Sequence, residues 1–187
     1  MTAIVGLVHE GTVFLGGDSA AAGNMNIYTR REPKVFRSDQ YIIGYTTSFR
    51  MGQIIRHAFK PPMLASGDAE VSDEDLMGFM ATEFIRKLKL AFKDGGWLES
   101  DKGRDTGGQM LIGVAGRLFQ IESDFQVGES ALGYDAVGSG NEVALGSLHA
   151  TSHTEFDPQK RLELALQAAE EFVSTCRRPF HFVSLEK

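Results

Sequence analysis

The 187-residue chain holds a single cysteine, Cys176, so no disulfide can form within it, and that scarcity fits a reducing compartment. No apolar stretch approaches the roughly 18 residues of a membrane-crossing helix, so no membrane association is expected. Basic residues never run longer than the pairs Arg30-Arg31 and Arg177-Arg178, which excludes a polyphosphate-binding stripe and with it nucleic acid as a partner. The start, Met1-Thr2-Ala3-Ile4-Val5, has neither a cationic leader nor a cleavage site. A signal peptide is therefore not expected, and the expected location is cytoplasmic. Site signatures are missing too. No serine sits in a G-x-S-x-G elbow, and neither G-x-G-x-x-G nor a Walker lysine is present. The five histidines are scattered; His149 and His153 fall at i and i+4 but lack an H-E-x-x-H pattern or a third ligand. They read as a solvent-facing helix pair, and no metal or cofactor is expected.

What remains is an acidic chain of ordinary globular composition. Its 25 acidic and 19 basic residues give a net charge of −6, and 42% of its residues are hydrophobic. With no repeat, linker or low-complexity tract, residues 1–187 read as one domain. The 21 glycines exceed the average share of about 7%, which points to tight turns and close backbone packing.

Strand patterns open the chain. Thr2 to Val8 is an apolar run too short for a helix, followed by the turn His9-Glu10-Gly11 and a return strand, Thr12 to Leu15, that closes on Gly16-Gly17-Asp18. Residues 19–31 read as a loop. Lys34 to Phe36 and Tyr41 to Thr46 form a second strand pair. Ser48 caps a helix reaching about Phe59 and stopped by Pro61-Pro62. Ser72-Asp73-Glu74-Asp75 has capping-box spacing. The helix after it lines up Met77, Met80, Ala81, Phe84, Leu88 and Phe92 on one face. Residues 94–108 read as a loop, and Met110 to Ala115 with Leu118 to Glu122 as a hairpin. A strand ending at Val137 leads through Gly138-Ser139-Gly140 into a helix of small residues. Asp157-Pro158 starts the last helix, striped by Leu162, Ala165, Leu166, Ala169, Phe172 and Val173; a strand from Phe180 to Leu185 ends the chain. Strands, two helices, strands, two helices and a strand pack most economically as two face-to-face sheets with helix pairs outside.

Cys176 has no histidine near it in sequence and reads as a half-buried core thiol. Thr2 is the unusual nucleophile candidate. If Met1 is removed, Thr2 carries both a hydroxyl and a free α-amine, whose ordinary pKa of about 7.7–8.0 suits a general base. The first hairpin returns Asp18 beside the start of strand one, and Lys34 opens the next pair at the same end. A buried lysine there would depress the amine's pKa by charge repulsion and steady the hydroxyl oxygen, and an aspartate would keep the lysine charged. Ser139, between two glycines, can hold the amine or relay a proton.

The spacing of Thr2, Gly17-Asp18-Ser19, Lys34 and Gly138-Ser139-Gly140 resembles the proteasome β-subunit and HslV-like family of N-terminal nucleophile (Ntn) hydrolases. Asp18 follows Thr2 by 16 residues and Lys34 follows Asp18 by 16. AVGSGNEVALGSLHA and LELALQAAEEFVSTC resemble the family's strand–turn–helix segment and the helix after it, and the likeness spans most of the chain.

That resemblance implies an α+β fold, a four-layer αββα sandwich of two antiparallel sheets. It implies a threonine endopeptidase with Thr2 as nucleophile, tuned by Asp18 and Lys34 and assisted by Ser139. It also implies homo-oligomeric rings of six or seven subunits, stacked in many members, a ring-shaped AAA+ ATPase as unfolding partner, and polypeptide substrates. The oxyanion donor falls on the backbone of Thr47, where the family has glycine. Accessory positions fall on Glu171 and Ser174, and the substrate pocket on Ala21, Glu32, Phe36 and Tyr45. Two other readings stay open: a catalytically silent ring or scaffold protein of the same fold, and an Ntn amidase acting on small amides.

Overall fold

The computed structural model describes residues 2–23, 26–64 and 73–187. The opening apolar run forms β1 (Ile4–His9), which turns through Glu10 and Gly11, both at positive φ, into β2 (Thr12–Gly17). A short hairpin, β3 (Ala20–Gly23) and β4 (Asn26–Thr29), precedes the pair β5 (Val35–Ser38) and β6 (Tyr41–Tyr45). Next come α1 (Phe49–His57), α2 (Asp73–Phe79), a π-helical turn (Met80–Phe84) and α3 (Ile85–Asp94). A second small hairpin, β7 (Glu99–Asp101) and β8 (Arg104–Thr106), leads to β9 (Met110–Val114), β10 (Arg117–Ile121), β11 (Val127–Glu129) and β12 (Tyr134–Val137). The chain finishes with α4 (Asn141–Ala150), α5 (Pro158–Phe172) and β13 (His181–Leu185).

The two main sheets are antiparallel, ordered β12-β1-β2-β13 and β11-β10-β9-β6-β5. Period-two alternation sorts their side chains into three cores. Ile4, Val13, Leu15, Val35, Ile42 and Leu111 meet between the sheets. Ala3, Val5 and Leu7 face the other way, onto Ala144, Leu148, Leu162, Ala165 and Leu166 of α4 and α5. Tyr41, Ile43, Met110 and Ile112 face α1, α3 and the π-helical turn between α2 and α3. The result is the expected four-layer αββα sandwich. Glycine excess has a specific use here: a Cβ on Gly44 would press on Ile4 Cγ2 at 2.5 Å, and one on Gly113 on Ile42 Cγ1 at 2.6 Å. Glycines on the inner faces let the sheets close on the large aliphatic side chains.

Several local expectations need correction. Residues 19–31 and 94–108 are hairpins rather than loops. Ala20 to Gly23 carry little strand propensity, but Ala20 and Ala21 are buried and their register, Ala20 opposite Thr29, comes from pairing. The second hairpin turns on Lys102 and Gly103, both at positive φ, and is tied down by the Lys89–Asp105 ion pair at 2.5 Å. On the long helix the buried series is Leu76, Met80, Phe84, Leu88 and Phe92, while Ala81 is exposed. Strict four-residue spacing overshoots an α-helical turn by about 40° per step, and the wider π turn reverses that drift. The first residue of the capping box, Ser72, lies outside the described residues. Phe172, at the edge of the α5 stripe, is 77% exposed. His153 falls beyond the end of α4 and makes no helical pair with His149, whose Nδ1 bonds the Tyr134 hydroxyl at 2.8 Å.

Candidate active site

Strand pairing carries Thr2, Asp18, Lys34 and Ser139 to one point. Ile4 sits opposite Gly17 on one side and Val137 on the other, so the residues just beyond each strand end, Asp18 and Ser139, flank Thr2. The Asp18 N–H donates to the Ala3 carbonyl at 3.2 Å and the Gly140 N–H to the Thr2 carbonyl at 3.2 Å. Gly138 makes the approach possible: its φ is +98°, and any Cβ there would collide with the Thr2 carbonyl. Lys34 comes in from the other sheet, its carbonyl accepting from Tyr45 N–H at 3.1 Å at the mouth of the β5–β6 pair.

Thr2, Asp18 and Lys34 are 1%, 0% and 3% exposed. Lys34 Nζ donates to Thr2 Oγ1 and, at 2.8 Å, to Asp18 Oδ1, while Thr2 Oγ1 donates to the same carboxylate oxygen. Asp18 also accepts from the backbone N–H groups of Ala3 at 3.1 Å, Ala20 at 2.9 Å and Arg177 at 3.1 Å. A buried carboxylate with this many donors is fully paired, which is what makes a buried lysine tolerable beside it. Burial pulls the Lys34 pKa below its ordinary 10.5, and the Asp18 charge opposes that pull. Ser139 Oγ accepts from the Thr2 backbone nitrogen at 3.1 Å and bonds Thr175 Oγ1 at 2.8 Å. A hydroxyl oxygen held by an ammonium, with a second hydroxyl on the adjoining nitrogen, can act as a nucleophile whose proton has a route away.

Of the accessory candidates, Glu171 and Ser174 are exposed and bond none of these residues. The contacts at this corner come from two residues that the sequence reading missed: the Thr175 hydroxyl on Ser139 and the Arg177 backbone on Asp18. Both follow α5 in irregular backbone, where no periodicity marks a position.

Thr47 lines a narrow cleft of about 20 Å³ together with Thr2, Lys34, Tyr45, Ser48 and Phe49. Its φ is +63°, a left-handed conformation that a β-branched residue rarely adopts, and Gln109 N–H holds it by donating to Thr47 Oγ1 at 3.2 Å. Among the described residues nothing accepts from the Thr47 N–H. A larger cavity of about 470 Å³ adjoins the cleft, and Glu32 and Tyr45 line it. Ala21 is buried on β3 and Phe36 is buried beneath the Arg56 guanidinium, 4.0 Å from its ring; neither lines either cavity.

Two antiparallel sheets between helix layers are the αββα sandwich of the Ntn-hydrolase fold, and a buried hydroxyl–ammonium–carboxylate cluster lies just before its first strand. The chain has the fold of the proteasome-like and HslV-like members of that class. BPH from Thiobacillus denitrificans matches with a TM-score of 0.80 at 21% identity, over 99% of this chain and 98% of that one. BPH has also been solved in complex with epoxomicin. HslV from Trypanosoma brucei matches with a TM-score of 0.70 at 19% identity over the full length of both chains. The Gly-1 mutant of Anbu from Hyphomicrobium sp. strain MC1 matches with a TM-score of 0.68 at 16% identity, over all of this chain and 82% of that one. No protein-family model and no curated protein matches the sequence.

Proposed function

We propose that the chain is a threonine-type peptidase in which Thr2, exposed by removal of Met1, is the nucleophile. The observation that carries this reading is the buried contact of Thr2 Oγ1 with both Lys34 Nζ and Asp18 Oδ1. The Thr2 α-amine takes the Oγ1 proton as Oγ1 attacks a peptide carbonyl carbon. Lys34 stabilises the developing charge on Oγ1, and Asp18 keeps Lys34 charged. The carbonyl oxygen, now anionic, faces the free Thr47 N–H. The C–N bond breaks, the departing amine leaves with the proton held by the α-ammonium, and an ester to Thr2 remains. Water then attacks the ester, gives its proton to the α-amine, and frees the acid as Oγ1 is reprotonated. Ser139 and Thr175 orient the α-amine throughout.

The same resemblance extends to quaternary structure and setting: a homo-oligomeric ring of six or seven subunits in the cytoplasm, working on polypeptides fed by a ring-shaped ATPase. Exposed apolar side chains such as Leu132 and Phe172, 65% and 77% exposed, support a subunit contact. A direct test compares unfolded-protein cleavage by the wild type, Thr2→Ser and Thr2→Ala. Thr2→Ser retains turnover and Thr2→Ala loses it, by at least about a thousandfold. Unchanged cleavage by Thr2→Ala would refute the mechanism, and turnover confined to small amides would favour an amidase.

A further inference from the structure

The cavity of about 470 Å³ and the Thr2 cleft share two walls, Tyr45 and Phe49. Its size lies within the range of ligand pockets, about 300–1,000 Å³. A peptide whose carbonyl sits at Thr2 Oγ1 would direct the side chain on that carbonyl's own residue past these rings. Phe49 marks the boundary: Lys34 Nζ lies 5.8 Å from the centre of its ring and the Arg30 guanidinium 5.1 Å.

The charge of this cavity runs against that of the chain. In a protein of net charge −6, it gathers Arg30, Arg50 and Arg56 against one carboxylate, Glu32. Among the described residues no acid forms an ion pair with any of the three arginines. They are held instead by neutral groups: Arg50 donates to the Gly95 carbonyl at 2.9 Å, Arg56 donates to the Pro33 carbonyl at 2.5 Å, and Arg30 stands over Phe49. Glu32 is exposed, so water screens it, whereas Arg56 is half-buried and its charge is the least screened in the cavity. An apolar side chain entering here would desolvate these guanidinium groups without pairing them, and a cationic one would be repelled. A carboxylate pairs with their N–H forks while its methylenes rest on the two aromatic walls.

We propose that this cavity receives an acidic side chain, so that the enzyme cleaves on the carboxyl side of glutamate or aspartate; the inference rests on Thr2 being the nucleophile. The test uses matched fluorogenic peptides that differ only in the residue before the scissile bond: glutamate, glutamine, leucine or arginine. The expected kcat/KM for glutamate exceeds that for glutamine by about tenfold or more, and the ratio shrinks as salt is raised. Arg56→Gln should collapse the ratio. Because Arg56 is half-buried, the exposed pair Arg30→Gln with Arg50→Gln is measured beside it and should lower the ratio as well. Cleavage after leucine or glutamine at least as fast as after glutamate, or a ratio unmoved in both variants, overturns the assignment while leaving the nucleophile in place. Failure of the wild type to cleave any of the peptides, with no covalent adduct on Thr2, overturns the nucleophile and this inference with it.

Discussion

Five donors converge on the Asp18 carboxylate: the Thr2 hydroxyl, the Lys34 ammonium and the backbone N–H groups of Ala3, Ala20 and Arg177. Asp18→Asn removes the carboxylate that pairs with Lys34 in the buried site, so we expect a loss of about 3–5 kcal/mol in denaturant unfolding. The loss should shrink as pH rises. Burial already holds the folded Lys34 pKa below the 10.5 of the unfolded chain, and removing Asp18 lowers it further. Between the folded value and 10.5 the unfolded state binds more protons, so stability climbs with pH across that window. Cys176 behaves in the opposite sense. Burial first, and the Asp18 charge second, push its thiol from 9.0 up to about 11. Between those values the unfolded thiol ionises while the folded one does not, so stability falls as pH rises through that range. At pH 8 we expect iodoacetamide to spare Cys176 in the native protein and to label it in denaturant, read by intact mass. Labelling of the native protein at the denatured rate would contradict its burial.

At the level of elements, the turns that deliver the site are less tolerant than the strands. Gly138→Ala puts a Cβ onto the Thr2 carbonyl at a φ of +98°, and we expect it to cost more than about 1–2 kcal/mol and to displace Thr2. Asp157→Ala, far from the site, removes the cap bond from Lys160 N–H at 3.0 Å and should cost about 1 kcal/mol, measured by thermal unfolding. That contrast explains what the sequence made legible. The paired strands around Gly16-Gly17-Asp18, the proline-started α5 and the GSG turn carry local signals, and with them came Thr2, Asp18, Lys34 and Ser139. The β3–β4 and β7–β8 hairpins have no apolar alternation and take their form from pairing and burial. Thr175 and Arg177 meet the site only because the chain folds back after α5, and Phe49 and Arg50 reach the cavity beside it only because α1 leaves β6 beside Thr47. The family resemblance placed the accessory positions on Glu171 and Ser174, but the backbone leaves the helix after Phe172, and the site contacts come from Thr175 and Arg177 instead.

For the molecule as a whole, two sheets close on Ile4, Val35, Ile42 and their neighbours, and Ile4 at the start of β1 anchors Thr2 to the edge of that core. The nucleophile candidate is therefore held by the main packing layer, which supplies the preorganisation that the proposed acyl transfer requires. A subunit of this shape with exposed Leu132 and Phe172 should migrate as a ring on sedimentation. Leu132→Glu with Phe172→Glu should shift it toward the monomer, and an unchanged sedimentation profile would remove these two residues from the contact. The central claim, that Thr2 is an N-terminal nucleophile, is tested most directly by intact-protein and peptide-mapping mass spectrometry before and after treatment with a peptide epoxyketone. The account predicts a native chain lacking Met1 and one covalent adduct, located on Thr2 and absent from Thr2→Ala. A chain that keeps Met1 and gains no mass would contradict it.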